Sequence, residues 1–456
     1  MGKLTLVLFF LLSFNSYCFS VENIFQDDLT LTDSLSITQS STSKQASIEM
    51  LHGKYLSDPK NRISKDFDIP KKLRDRVEFW YRVYTQYESY NSVIHDIESL
   101  GIIYDVIDFS DFQKSGLNKN TRYSLQNKAL KGIVQNYKNA FKKLSVGKCN
   151  SQKCKQILSA LKKNKIRIPQ NKKKRKRLFT NLSRNLRTQT GQKDHILKGL
   201  DNLKGYQETI ELLFKEFEMP NELLAISFLE SSFNIHAKSK VGATGPWQFM
   251  RIIGKHFFVQ NRFVDQRKSP VISTSGALHL LKQNIQIMDR WDLAVNAYNS
   301  GTGLLRRGVR SLKKKGFTNP GVSELIDHFK HPNWGFAAKN FYSEFLALVY
   351  TLAYKSEIYS KKFDEHDGLI DIYVTKCRIP LLKLLPGLKS TKHNIMALNN
   401  HLSRRYRKSS FPKGTVVLSD VELTERKYYK VPHAKLRRRY PKNLHKFVRN
   451  QSCSKR

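Results

Sequence analysis

Residues Asn221 to Met250 read NELLAISFLE SSFNIHAKSK VGATGPWQFM. Pro220 suits the first turn of a helix, where its missing N–H leaves no bond unmade. Leu223, Leu224, Ile226, Phe228 and Leu229 then supply a wide apolar face. Glu230 ends that face, with Ser231, Ser232 and Phe233 after it. A carboxyl held against apolar walls resists ionisation, so its pKa rises. Such a group stays protonated near neutral pH and can give its proton to a leaving oxygen. An arbitrary Glu at a helix end is simply solvated, but the residues downstream argue otherwise here. Ser239, Gly242, Ala243 and Gly245 predict a turn of small residues, which lets a ligand approach the backbone closely. Trp247, Gln248, Phe249 and Met250 add aromatic faces, an amide and a soft apolar side chain. A pocket for an N-acetylated sugar needs such a lining. The plainer alternative is a Gly-rich turn entering a core helix, with Trp247 and Phe249 buried.

Two further stretches join this one. Ala297-Tyr298-Asn299-Ser300-Gly301 lies within WDLAVNAYNSGTG, Trp291 to Gly303, and Asp265-Gln266-Arg267 precedes Ser269-Pro270. An Asp and an Arg so close predict an ion pair that fixes a loop. In order, the chain shows E-S-x-F-N from Glu230, then A-x-S-x-x-G-A-x-G-x-W-Q-F-M from Ala237, then A-Y-N-x-G from Ala297. This series resembles the catalytic core of lytic transglycosylases of the soluble-lytic-transglycosylase (SLT) type, over roughly Arg187 to Leu348. An R-x-Q-x-G-Q-K-D stretch at Arg187–Asp194 precedes such cores and predicts a helix entry and a structural contact.

The resemblance implies an all-α, lysozyme-like domain that cleaves the β-1,4 bond between N-acetylmuramic acid and N-acetylglucosamine in peptidoglycan. It implies Glu230 as acid and then base, and the substrate's own 6-hydroxyl as nucleophile, giving a 1,6-anhydro product. Ser239, Gln248, Met250, Tyr298 and Asn299 would hold the sugars. No cofactor and no metal is implied. One departure stands out. Family members carry E-T-R-x-Y-V on the last helix of the core, where this chain reads Ala337-Ala338-Lys339-Asn340-Phe341-Tyr342. The glutamate is absent there, and the tyrosine is replaced by Phe341 or shifted to Tyr342.

Around the core, the chain divides by composition. MGKLTLVLFFLLSFNSYCFS, residues 1–20, reads as a signal peptide cut after Ser20, its apolar run too short to span a bilayer. A lipoprotein anchor at Cys18 is the weaker reading, because Asn15-Ser16-Tyr17 lacks the residues such a signal carries. The expected location is therefore periplasmic or secreted, or peripheral to the outer membrane. Residues 21–70 read as a disordered lead-in, rich in Ser, Thr, Asp and Gln. Residues 71–185 form an accessory region. Val77, Trp80, Tyr84 and Tyr87 recur at helical spacing, and Ser92–Ile97 and Ile102–Phe109 alternate as strands do. Residues 186–360 are the expected catalytic domain. Residues 365–420 read as a separate, degenerate LysM-like module: Leu381, Leu382 and Leu385 precede Met396–Asn400, and a strand follows Pro412-Lys413-Gly414. Residues 421–456 read as an extended basic tail. The fold class is thus mainly α, with a mixed N-terminal region and a small C-terminal α+β module.

The chain of 456 residues carries 80 Lys and Arg against 38 Asp and Glu, a formal net charge of +42. That implies an anionic partner surface and salt-dependent attraction. The run Lys172-Lys173-Lys174-Arg175-Lys176-Arg177 resembles a nucleic-acid or nuclear-targeting patch. An exported chain makes contact with an anionic polymer the better reading. The expected partners are peptidoglycan glycan strands met by a monomer, with no specific nucleic acid. After signal cleavage Cys149, Cys154, Cys377 and Cys453 remain, an even count that permits disulfides. No zinc spacing, nucleotide-binding loop or serine-hydrolase elbow is present. The rival readings are a goose-type lysozyme-like hydrolase, which needs a second acid to activate water, and a non-catalytic basic wall- or nucleic-acid-binding protein.

Overall fold

The computed structural model describes residues 53–363, 368–380, 395–403, 410–423 and 428–448. The expected signal peptide with Cys18, and Leu381, Leu382, Leu385 and Cys453, lie outside the described residues. The chain forms two compact units. Among the described residues, one holds 53–195 together with Leu346–Tyr359, and the other holds Ile196–Phe345 and those from Ser360 on.

In the first unit, α1 (Arg74–Thr85) buries Val77, Trp80 and Tyr84, the aromatic spacing seen in the sequence. Strands β1 (Asn91–Asp96), β2 (Ile103–Asp108) and β3 (Leu186–Thr190) form an antiparallel sheet in the order β2-β1-β3. Its register sets Val93 opposite both Val106 and Gln189. A short helix α2 (Ser110–Lys114) leads to α3 (Lys119–Ser145), α4 (Gln152–Lys163) and α5 (Lys172–Arg184). Asn118, Ser151 and Asn171 cap the three long helices by accepting from backbone N–H groups in their first turns. Ile94, Tyr104, Tyr137, Phe141, Ile157 and Phe179 meet in one core. Gly191, in the R-x-Q-x-G-Q-K-D stretch, lies so close to the Tyr87 and Glu88 backbone that a Cβ would come within 2.4 Å of it. Asp194 accepts from the Ser89 N–H and hydroxyl at 2.9 and 2.6 Å. That stretch is thus a structural clasp.

Part of the expected lead-in is ordered. Tyr55, Leu56 and Phe67 are buried. Tyr55 stacks on Tyr354 with ring centroids 5.0 Å apart, and the Tyr354 hydroxyl donates to Asp58. Arg62 donates to Glu357 at 2.7 Å. A few aromatic anchors hold this segment although its composition is polar.

The second unit is built from helices. They are α6 (Lys193–Leu203, whose first residues belong to the other unit), α7 (Gln207–Phe217), α8 (Ala225–Ser231), α9 (Arg251–Phe257) and α10 (Pro270–Met288). After them come α11 (Trp291–Ser300), α12 (Thr302–Lys313), α13 (Val322–His328) and the first half of α14 (Phe336–Ala353). Helix α10 is buried on every side from Pro270 to Leu278, where the hydroxyls of Ser273, Thr274 and Ser275 bond back to carbonyls of its own first turn, so other helices pack about that half.

The C-terminal segment is not a separate module. Strand β4 (Asp371–Thr375) pairs with β7 (Val416–Ser419) and β8 (Tyr428–Val431), while β5 (Ile379–Pro380) pairs with β6 (Ser410–Phe411). The Pro412-Lys413-Gly414 turn does lead into a strand. Yet Val264, Tyr373, Ile379, Leu402, Phe411 and Val417 share one core, and the Asp265 N–H donates to the His401 carbonyl at 2.8 Å. These ties place the segment in the second unit. The expected extended tail is also corrected, since β8 belongs to the sheet and Leu436 and Leu444 are buried. His279 on α10 bonds the Leu436 carbonyl at 2.8 Å.

Cys149 and Cys154 form a disulfide five residues apart, and Cys377 is also disulfide-bonded. Closing so short a loop removes little chain entropy. Replacing both Cys149 and Cys154 by Ser should lower stability by only about 2 kcal/mol, read by urea unfolding. A loss above twice that would show strain-free packing of the bridge to matter more than loop closure.

Candidate active site

Helix α8 follows a single 3₁₀ turn, Asn221–Leu224, and ends early. Ser232 and Phe233 adopt left-handed φ values of 51° and 50°. Two such residues in a row without glycine are strained and must be held by their surroundings. The Ser232 N–H donates to the Phe228 carbonyl at 2.7 Å, and Phe233 to Ser227 at 3.2 Å. Gly199 of α6 lets the Ser232 carbonyl approach, since a Cβ there would lie 2.3 Å from it. The early stop leaves Glu230 at the helix end. The Ser231 hydroxyl donates to the Pro246 carbonyl at 2.8 Å and ties that end to the next turn.

That turn is held from within. The Ala243 N–H donates to the Ser239 hydroxyl and the Ser239 N–H to the Ala243 carbonyl, both at 2.9 Å. Gly245 has φ 79°, and a Cβ there would meet the Arg267 carbonyl at 1.9 Å. The Gln248 amide donates to the Gly245 carbonyl at 2.8 Å and is buried. Arg267 donates to the Gly242 and Phe249 carbonyls at 3.0 Å each and pairs with Asp265 at 2.8 Å. The Asp-x-Arg motif is therefore the latch of the loop. Trp247 is fully buried, its indole N–H donating to Thr274 at 2.9 Å, and Phe249 lies among Phe257, Phe258 and Tyr298. Both rings support the wall from behind and are not stacking faces. Met250 is half-buried at the rim.

Tyr298 on α11 donates to the Trp247 carbonyl at 2.8 Å. Its hydroxyl is pushed well above its ordinary pKa by burial, then by the charge of Glu230. So the third motif meets the first. Glu230 is half-buried as a residue, but its Oε1 is enclosed and has no hydrogen-bond partner among the described residues. Burial, and then the negative charge of Glu344, push its pKa up to about 8. Asn299 is half-buried and accepts from Ser300 at 3.4 Å. An open hollow of about 670 Å³ near Phe263, Arg378 and Lys413 is lined by none of these residues.

Glu344 was missed by sequence. It lies just beyond the Ala337–Tyr342 stretch, on the same helix α14, which brings a buried carboxylate to the site two turns beyond Ala337. Asn296 holds α14 against α11 by donating to the Ala338 carbonyl at 3.1 Å. The available signal was a lone acid inside the apolar run Phe341–Tyr350.

A carboxyl with a folded pKa near 8 and an ordinary value of 4.5 keeps a proton in the native state that the unfolded chain has lost. Stability should therefore fall as pH climbs through that window. Glu230→Gln should gain stability over the parent above pH 8 and lose the difference below pH 4.5, as read by thermal melts. Glu344→Gln should lower the Glu230 midpoint in a carboxyl-carbon NMR titration. An unmoved midpoint would contradict the coupling. Gly245→Ala should cost roughly 3 kcal/mol, because the clash is with backbone.

Comparison with known proteins gives a match over part of the chain. Residues 212–319 match the family model described as Transglycosylase SLT domain. Two curated relatives are named Membrane-bound lytic murein transglycosylase D, one from Escherichia coli (strain K12) and one from an O6:H1 strain of that species. Each is 36% identical over 104 residues, which is 22% of this chain and 23% of the relative. The match thus spans about a quarter of the length of these relatives. Residues 212–319 thus match the transglycosylase SLT domain, and the mainly helical fold about them is lysozyme-like.

Proposed function

We propose that this chain is a peptidoglycan lytic transglycosylase with Glu230 as its general acid and base. The enclosed Oε1 of Glu230, without a hydrogen-bond partner among the described residues, carries the reading, and the carboxyl's raised pKa, near 8, supports it. Glu230 gives its proton to the glycosidic oxygen as the bond from C1 of N-acetylmuramic acid to the N-acetylglucosamine oxygen breaks. The resulting carboxylate takes the proton of the 6-hydroxyl, whose oxygen bonds to C1. The product is the 1,6-anhydro sugar, and Glu230 ends protonated, with no water consumed. Tyr298 holds the wall beside Glu230 through the Trp247 carbonyl. The Ser239 hydroxyl accepts from Ala243 and keeps its own hydrogen for a sugar oxygen. Gln248 spends its amide on the turn and shapes the groove, while Met250 and Asn299 at the rim contact the acetamido groups.

The N-terminal apolar run and the names of the relatives support placement in the cell envelope. Among the described residues no helix is long and apolar enough to cross a membrane. The C-terminal sheet would act as a glycan-holding extension of the same unit, in keeping with a LysM-like role.

Glu344 favours a second reading. A buried acid beside the first is what a goose-type hydrolase would use to activate water. In the transglycosylase reading its charge instead keeps Glu230 protonated. The products separate the two. Mass spectrometry of muropeptides released from purified sacculi should show anhydro-muramyl ends, and Glu230→Gln should lower release by roughly 10²–10⁴-fold. Reducing ends in their place would make the enzyme a hydrolase. Release from neither protein, with retention on sacculi, would leave a basic binding protein. The rate should fall as pH rises through about 8, where Glu230 loses its proton, and Glu344→Gln should move that limb to lower pH.

A further inference from the structure

Helices α3, α4 and α5 carry a charge that the proposed chemistry does not use. Residues 119–184 hold 16 Lys and 5 Arg, and no Asp or Glu. Those 21 cations amount to half of the net charge of +42. Among the described residues, the ion pair this segment makes is Lys153 with Asp105. Most of its other cations are exposed.

The fold arranges them. Lys128, Lys131, Lys138 and Lys142 fall within an arc of about 80° on α3, a stripe about 21 Å long, and all four are exposed. The opposite face buries Tyr137, Ala140, Phe141 and Leu144. Helix α3 packs against both α4 and α5. Helix α5 opens on exposed Lys172, Lys173, Lys174, Lys176 and Arg177, and α4 adds exposed Lys155, Lys162 and Lys163. Like charges so dense repel one another, and a bound polyanion relieves that repulsion.

We infer that α3–α5 form an electrostatic docking surface for a carboxylate-bearing wall polymer, the peptide-substituted glycan itself. The choice of polymer rests on the proposed function. Lysine predominates, and its compact point charge suits diffuse attraction, whereas arginine's fork suits bidentate recognition of one group. Tyr123 is the exposed aromatic of the segment among the described residues, so there is no stacking platform for single-stranded nucleic acid. Val146 and Ile168 are exposed singly, at a helix end and in a loop, and form no face for bilayer insertion. A surface linked to the cleaving domain keeps that domain at high effective concentration along the polymer.

The test uses the full chain carrying Glu230→Gln, cosedimented with purified sacculi at rising salt. Binding should weaken with salt. Changing Lys128, Lys131, Lys138, Lys142, Lys173, Lys174 and Lys176 to Gln should raise the Kd about tenfold or more. The same positions changed to Arg should keep binding, and matching melting curves would show that each variant folds. Sacculi whose carboxylates are capped as amides should bind as weakly as the Gln variant is held. Equal binding by the Gln variant, or equal binding to capped sacculi, would overturn the inference. Tighter binding to duplex DNA or to anionic lipid vesicles at the same salt would overturn the choice of polymer. Charge-dependent retention without anhydro products from the parent chain would support the docking surface while sinking the proposed catalysis. Products without charge-dependent retention would do the reverse.

Discussion

An enclosed carboxyl oxygen with no hydrogen-bond partner is costly to keep, and the second unit is organised around one, the Oε1 of Glu230. Glu230 tends either to ionise toward water or to find a donor, and the walls about it must deny both. Arg267 is central to those walls. Its guanidinium ties the Gly242 and Phe249 carbonyls to Asp265, so two ends of the small-residue loop cannot drift apart. Ser231 pins the helix end to Pro246, and Tyr298 pins the far side to Trp247. The bonds to Gly242, Phe249, Pro246 and Trp247 satisfy backbone carbonyls, while the Glu230 Oε1 has no partner among the described residues. That arrangement supplies the raised pKa a general acid needs at neutral pH.

The same logic explains why the C-terminal segment joins the second unit. The loop before Arg267 is itself braced from outside: Val264 and Leu402 bridge as strands do, and Asp265 bonds the His401 carbonyl. The latch residue Asp265 thus depends on a segment more than a hundred residues away in sequence. The final residues, through Leu436 and Tyr440, then press on α10, the buried axis of the unit.

Much of the site was legible in local sequence. The helix ending at Glu230, the glycine turn and the Asp-x-Arg pair are short-range features, and their residue types state the backbone they require. Gly245 had to be small because backbone passes beside it. Trp247 and Phe249 were harder, because an aromatic after a turn fits a groove wall and a core equally well. The bond from Trp247 to Thr274 decided for the core. Glu344 escaped because its role depends on how α14 packs, which Asn296 helps to fix from another helix. The ordered residues near Tyr55 escaped because their partner, Tyr354, is about three hundred residues away.

By itself the sequence determined a mainly helical chain, a protonatable glutamate at a helix end, a small-residue turn beside it, and a strongly basic stretch with no acid in it. These follow from residue chemistry and spacing over a few turns. Only the tertiary structure decided that Tyr298 stands beside Glu230, that Glu344 adds its charge there, and that the C-terminal strands belong to the second unit. Those are through-space relations among distant residues. Contacts between residues so far apart in the chain leave no local mark on its sequence.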